Sequence, residues 1–148
     1  MRQAGILAAA GLVALRDGPS GMIERLAEDH VNARRLAEGL SALDGVGSPG
    51  GTAQPAPGPL DPGRVRTNFV VFKVDRDRSA FLAALKTRGV LMVEYPHGQV
   101  RAVTHHGITA GDIETTVAAA RAALDETAGI PDRRAAHPSP VPAGAGYP

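Results

Sequence analysis

The chain has no cysteine and no tryptophan, only 3% aromatic residues, and a formal net charge of just +1 from 16 basic and 15 acidic residues. Without cysteine, disulfides and thiolate metal sites are excluded and a reducing compartment is permitted, so the expected location is cytoplasmic. The near-neutral balance removes the electrostatic reason to expect nucleic acid or an anionic membrane as partner. The scarcity of aromatics removes the stacking platforms of single-strand binders. No apolar run reaches the ~20 residues that span a bilayer. The run at residues 6–15 is short and Ala-rich, follows a single charge at Arg2, and leads into a helical pattern. It reads as helix rather than as a secretory signal.

What is present is small and aliphatic. The hydrophobic fraction is 43%, most of it Ala, Val and Leu. At ~25 cal/mol per Å² of apolar surface, such side chains stabilise less per residue than a Phe- or Trp-rich core. A length of 148 residues has room for one ordinary domain. The expectation is a marginal domain, or one that leans on a partner surface.

Residues 3–16 read as a helix that stops at Asp17-Gly18-Pro19. It is apolar nearly all round, which predicts burial. Ser20 is placed to cap a second helix over 21–43. There Ile23, Leu26, His30, Ala33, Ala37 and Leu40 recur at helical spacing and form one stripe. Of the 19 residues from 45 to 63, eleven are Gly or Pro, which excludes a helix or an interior strand. Residues 45–66 therefore read as a linker or insertion between a helical segment, 1–44, and a small α/β domain, 67–128. Within that domain, 68–74 reads as a buried strand and 79–88 as a helix with Phe81, Leu82 and Leu85 inward, ended by Gly89. Residues 90–93 read as a second strand, 95–98 as a turn and 100–104 as a third strand. Thr109 and Asp112 resemble a capping box opening a helix over 110–127. Residues 129–148, increasingly Pro- and Gly-rich, read as a disordered tail. The predicted fold class is α/β, about three strands with helices on one face.

Three stretches, in order, carry a family resemblance. The first is MRQAGILAAAG from Met1, with RLAEDH from Arg25 and NARRLA from Asn32. The second is Thr67-Asn68 opening a strand, followed by RGVL from Arg88. The third is VRAVTH from Val100, followed by an Asp-led helix. Together they resemble the C-terminal portion of the low-specificity L-threonine aldolases, fold-type I pyridoxal-phosphate enzymes among the beta-eliminating lyases. The resemblance implies the small C-terminal domain of the aspartate-aminotransferase-like fold. It also implies a lyase that splits 3-hydroxy amino acids such as threonine or allo-threonine into glycine and an aldehyde, with pyridoxal 5'-phosphate as electron sink. On that resemblance the cofactor lysine lies upstream of Met1. The two lysines of this chain, Lys73 and Lys86, stand in nothing like the family's lysine motif.

The resemblance places a substrate-carboxylate arginine at Arg101, whose guanidinium matches two carboxylate oxygens with paired hydrogen bonds. Strand alternation puts Arg101, Val103 and His105 on one face and Val100, Ala102 and Thr104 on the other. Without the resemblance, Arg101 is an edge-strand arginine in water. Arg2 is the candidate cofactor-binding residue, beside the plain reading of an exposed helix-terminal arginine. His105 and His106, adjacent on a strand, point to opposite faces and chelate one ion poorly, so no metal site is expected. No catalytic residue is assigned. His30 reads as a core histidine and Asn68 as an anchor of the strand start. Glu94 and Tyr95 receive no role from the resemblance.

Three functions compete. The chain is part of an aldolase-like lyase that needs a lysine-bearing domain or second chain; or a truncated, non-catalytic relic; or a module that binds an amino acid without chemistry. The expected ligand in the first and third is a small-molecule amino acid. The resemblance also implies a homo-oligomer, with the apolar first helix as the best interface candidate.

Overall fold

The computed structural model describes residues 4–16, 18–50 and 58–131. Arg2 and most of the C-terminal tail lie outside these residues.

Ala and Leu dominate α1 (Ala4–Leu15) and are sufficient for helix. The burial expected from its composition is not found. None of its residues is buried, and Ile6, Leu7, Leu12, Val13 and Leu15 are all more than half exposed. The helix touches α2 (Met22–Ser41), but the described residues supply nothing that wraps it.

The cap and the stripe of α2 also differ from expectation. Gly21 is the N-cap, without a side-chain cap bond, and Ser20 ends a 3-10 turn at Gly18–Ser20. The buried face is Asp29, Asn32, Ala33, Leu36, Ala37 and Leu40. His30 is exposed rather than a core residue, and Ile23 and Leu26 remain about half exposed. The inward face is centred on Leu36 and Leu40, and Asp29 rather than its neighbour His30 falls on it. One residue is a rotation of roughly 100° on a helix.

The sheet has four strands in the order β1-β2-β4-β3, every neighbouring pair antiparallel. They are β1 (Val46–Gly47), β2 (Phe69–Val74), β3 (Val93–Tyr95) and β4 (Gln99–Val103). The strand beyond the expected three is β1, an edge strand drawn from the Gly/Pro-rich stretch. An edge needs only one partner, so the composition tolerates it. The same stretch closes a backbone bond from Ser48 N–H to Gly58 O at 2.6 Å and buries Leu60.

The second expected strand is displaced. Val90 N–H still bonds Leu85 O at 3.1 Å, closing the end of α3 (Arg78–Thr87), so pairing begins only at Val93. Gly89 takes φ +78 just past that helix, as a glycine C-terminus requires. The reversal into β4 uses Pro96–Gly98, with His97 at φ 62 and Gly98 at φ 76. Tyr95 thus belongs to a strand and stands opposite Gln99, and Val93 stands opposite Arg101.

In α4 (Ala110–Glu126) the capping box forms in both directions: Thr109 Oγ1 accepts from Asp112 N–H at 3.3 Å, and Asp112 Oδ2 accepts from Thr109 N–H at 2.8 Å. The Thr109 hydroxyl, which donates to Asp112 Oδ2 at 2.7 Å, and then the Thr109 N–H hold the Asp112 carboxyl below its ordinary range. The buried residues of α2, α3 and α4 form one cluster with Val70, Phe72, Val100 and Ala102 on one face of the sheet. Phe72 and Phe81 meet edge to face at its centre, 6.4 Å apart. The α/β class with helices on one face is as expected.

Candidate functional site

Alternation divides the two central strands. Val70 and Phe72 of β2, with Val100 and Ala102 of β4, face the helices and are buried. Phe69, Val71 and Lys73, with Gln99, Arg101 and Val103, fall on the opposite face. Neighbouring Val93 and Tyr95 of β3 join them through their pairing with Arg101 and Gln99. Phe69, Val93, Tyr95 and Val103 are partly exposed.

Arg101 stands in the middle of this open face. Val71 and Val93 are its direct cross-strand partners. Phe69 and Tyr95 are its diagonal neighbours on either side, a spacing that long and aromatic side chains can bridge. Its guanidinium carbon lies 5.6 Å from the Phe69 ring centroid and 5.4 Å from that of Tyr95, both within cation–π range. Its Nε is enclosed with no hydrogen-bond partner. Among the described residues no carboxylate pairs with it. The arrangement is a cation held between two rings over a valine floor, able to receive an anion.

The end of the sheet next to this face is closed by a polar network. Asn68 Nδ2 donates to Thr104 O at 2.8 Å and Thr104 N–H donates to Asn68 O at 3.0 Å, so Asn68 anchors the start of β2 as expected. The buried Thr104 hydroxyl donates to Asp29 O at 2.6 Å, and Asn32 Nδ2 donates to Ile108 O at 2.9 Å. These bonds tie α2 to the end of β4. Arg25 grips both Asp29 oxygens at 3.0 and 2.8 Å. Those bonds hold the Asp29 carboxyl below the usual range against the opposing effect of burial, with smaller help from the charges of Arg25, His105 and His106.

His105 and His106 are exposed, and His105 Nδ1 lies 2.9 Å from His106 O. Among the described residues no group of three or more His, Cys, Asp or Glu could hold a metal ion. A cavity of about 350 Å³ lies between residues 88–92, the end of β4 and the start of α4, and Arg101 does not line it. Its one cation, Arg88, is engaged by Glu126 at 2.8 Å.

The described residues do not fit a complete pyridoxal-phosphate site. Lys86 is exposed on the last turn of α3. Lys73 lines a glycine-rich cavity of about 310 Å³ that contains no aromatic ring to stack on a pyridine. Asp75, the acidic residue of that cavity, is paired with Arg76 at 2.8 Å. Sequence reasoning reached Arg101 but missed its partners Phe69 and Tyr95. No local pattern marks them, because the pairing register that brings three strands together is a tertiary property.

Comparison with known proteins agrees with the resemblance. Residues 1–55 match the family model described as Beta-eliminating lyase. Over 130 residues the chain is 31% identical to Low-specificity L-threonine aldolase 1 of Arabidopsis thaliana, covering 84% of this chain and 31% of that protein. Over 125 residues it is 34% identical to the Low specificity L-threonine aldolase of Escherichia coli (strain K12), covering 84% and 31%. A Probable low-specificity L-threonine aldolase 2 of Arabidopsis thaliana is 30% identical over 118 residues, covering 77% and 29%. The chain spans about a third of the length of the curated relatives it matches. The family-model match, together with relatives of the same kind that are 30–34% identical over 77–84% of this chain, shows that the chain belongs to the beta-eliminating lyase family.

Proposed function

We propose that the chain is one part of a threonine-aldolase-type lyase that cleaves 3-hydroxy amino acids to glycine and an aldehyde, and that Arg101 receives the substrate carboxylate. One observation carries this reading: Arg101 stands half-buried on the face of the sheet turned away from the helices, with no carboxylate of the described residues against it. A buried-side arginine would be spent on structure. This one is held in place and has hydrogen bonds still to make.

Pyridoxal phosphate, the cofactor of such lyases, serves as electron sink when bound. Since Lys73 and Lys86 do not fit it, we assign the cofactor lysine to another segment or a second chain. That partner would also cover the apolar surface of α1, and the oligomeric state would follow from it. The described residues include no helix long and apolar enough to cross a membrane.

The test is a hybrid enzyme. The aligned 125-residue segment of the Escherichia coli relative is replaced by this chain, and acetaldehyde release from L-threonine is followed. The expected hybrid is active, and R101A lowers kcat/KM roughly 100-fold through loss of a paired charge-assisted contact. A folded, cofactor-loaded hybrid that R101A leaves unchanged would remove Arg101 from the site. On the chain alone, a cofactor imine that borohydride fixes onto Lys73 or Lys86 would overturn the assignment of the lysine elsewhere.

A further inference from the structure

Resting on the reading of Arg101 as the carboxylate ligand, we infer that Phe69 and Tyr95 are positioning residues that fix the plane of its guanidinium and leave its Nη edge for the anion. An arginine on an open strand normally samples many rotamers, and that freedom is lost on binding. Here the guanidinium carbon is 5.6 Å from one ring centroid and 5.4 Å from the other, and the rings come from the strands on either side of β4. Held in this way, the group has lost its freedom before a ligand arrives, and pre-organisation of this kind raises affinity without adding a contact to the ligand. The buried Nε has no hydrogen-bond partner. The donors that remain are on Nη1 and Nη2, which match the two oxygens of a carboxylate end-on. Val71 and Val93, directly opposite Arg101, keep the surroundings apolar and so strengthen the charge interaction.

The inference gives Tyr95 a role through its ring, independent of its hydroxyl. Phe69 and Tyr95 are both partly exposed, 45% and 41%, so substituting them leaves the core cluster intact.

The experiment follows the Arg101 Nε–Hε signal of the nitrogen-15-labelled full chain by NMR while glycine is titrated in. The signal is assigned by its loss in R101K. In the wild type it is expected upfield of ordinary arginines, from ring currents, and slow to exchange with water. In Y95L and F69L it moves back toward the ordinary position, and glycine binds roughly 2- to 10-fold more weakly, the size of one cation–π contact. Y95F, which keeps the ring, restores both. A wild-type signal with no ring shift overturns the clamp outright. Variants that lose the ring shift but bind glycine as the wild type does overturn the positioning role, while loss of binding in R101K leaves the Arg101 reading standing. An R101K chain that binds glycine as tightly as the wild type removes the Arg101 reading and this inference with it, whereas a wild-type chain that shows the ring shift but no glycine binding overturns the positioning role and leaves the Arg101 reading to R101A in the hybrid.

Discussion

The two faces of the sheet are built from the same strands and have opposite chemistry. Along β4 and the residue that follows it, Val100, Ala102 and Thr104 are buried, whereas Arg101 and Val103, between them, lie on the other face. The helix-covered face carries the stability, since its apolar area leaves water and the two phenylalanines interlock there. The other face carries two cations, Arg101 and Lys73, two partly exposed rings and three valines, and among the described residues it is covered at its Gln99 end, where buried Gln99 donates to Pro49 O at 3.1 Å. Residues that differ by one position thus answer to different demands, and substitutions on the two faces should separate into effects on folding and effects on binding.

The sharpest test of that separation is Phe72→Ala. It deletes a fully buried ring and its edge-to-face partner contact, and about 3–5 kcal/mol of stability should be lost, measured by urea unfolding. A loss below about 1 kcal/mol would mean the covered face is not the core of the fold.

Next comes the Arg25–Asp29 pair on the buried side of α2. The Asp29 carboxyl is depressed chiefly by its bonds to Arg25. Its contribution is therefore fully present above the ordinary Asp value, about 3.9, and fades as pH falls through the lower folded value. Asp29→Asn should lower stability at neutral pH and flatten the acid limb of the stability curve. An acid limb identical to the wild type would show that the pair adds nothing.

Thr109→Ala removes the N-cap of α4, and a loss of about 1 kcal/mol is expected in the same unfolding measurement. The smallest effects belong to the uncovered surfaces. Val103→Thr on the open face and Ile6→Lys with Leu12→Lys on α1 should each leave the unfolding midpoint within about 0.5 kcal/mol of wild type. The α1 variant should also reduce self-association in sedimentation. A large destabilisation from either would mean that these surfaces are covered in solution and that the contrast between faces is misplaced.

Local signals were legible where one element's own pattern decided the outcome. The β-branched and aromatic run in residues 68–74, the helix ended by Gly89 and the Thr109–Asp112 capping box can each be read from neighbouring residues, although the buried strand expected of that run is buried only at Val70 and Phe72. The structure then places them within a residue or two. The failures have a common cause. His30 lies on a helical stripe in projection, but the face that turns inward is chosen by what α4 and β2 present, and that face carries Asp29 instead. The second strand starts at Val93 because Val90 is still bonded to the end of α3, a competition between elements. Composition permits β1 only as an edge, and its pairing with β2 creates it.

By itself, the sequence determined the periodicities, the turn and cap residues, the family and the grouping of Arg101 with Val103 on one face of their strand. All of these follow from backbone geometry acting over a few residues, or from residues matched in order. The tertiary structure alone decided which helix face is buried and which strands are neighbours. It also decided that Phe69 and Tyr95, 26 positions apart in sequence, flank one guanidinium. Register across a sheet is settled by long-range pairing and core packing together, and no local stretch of chain contains that information.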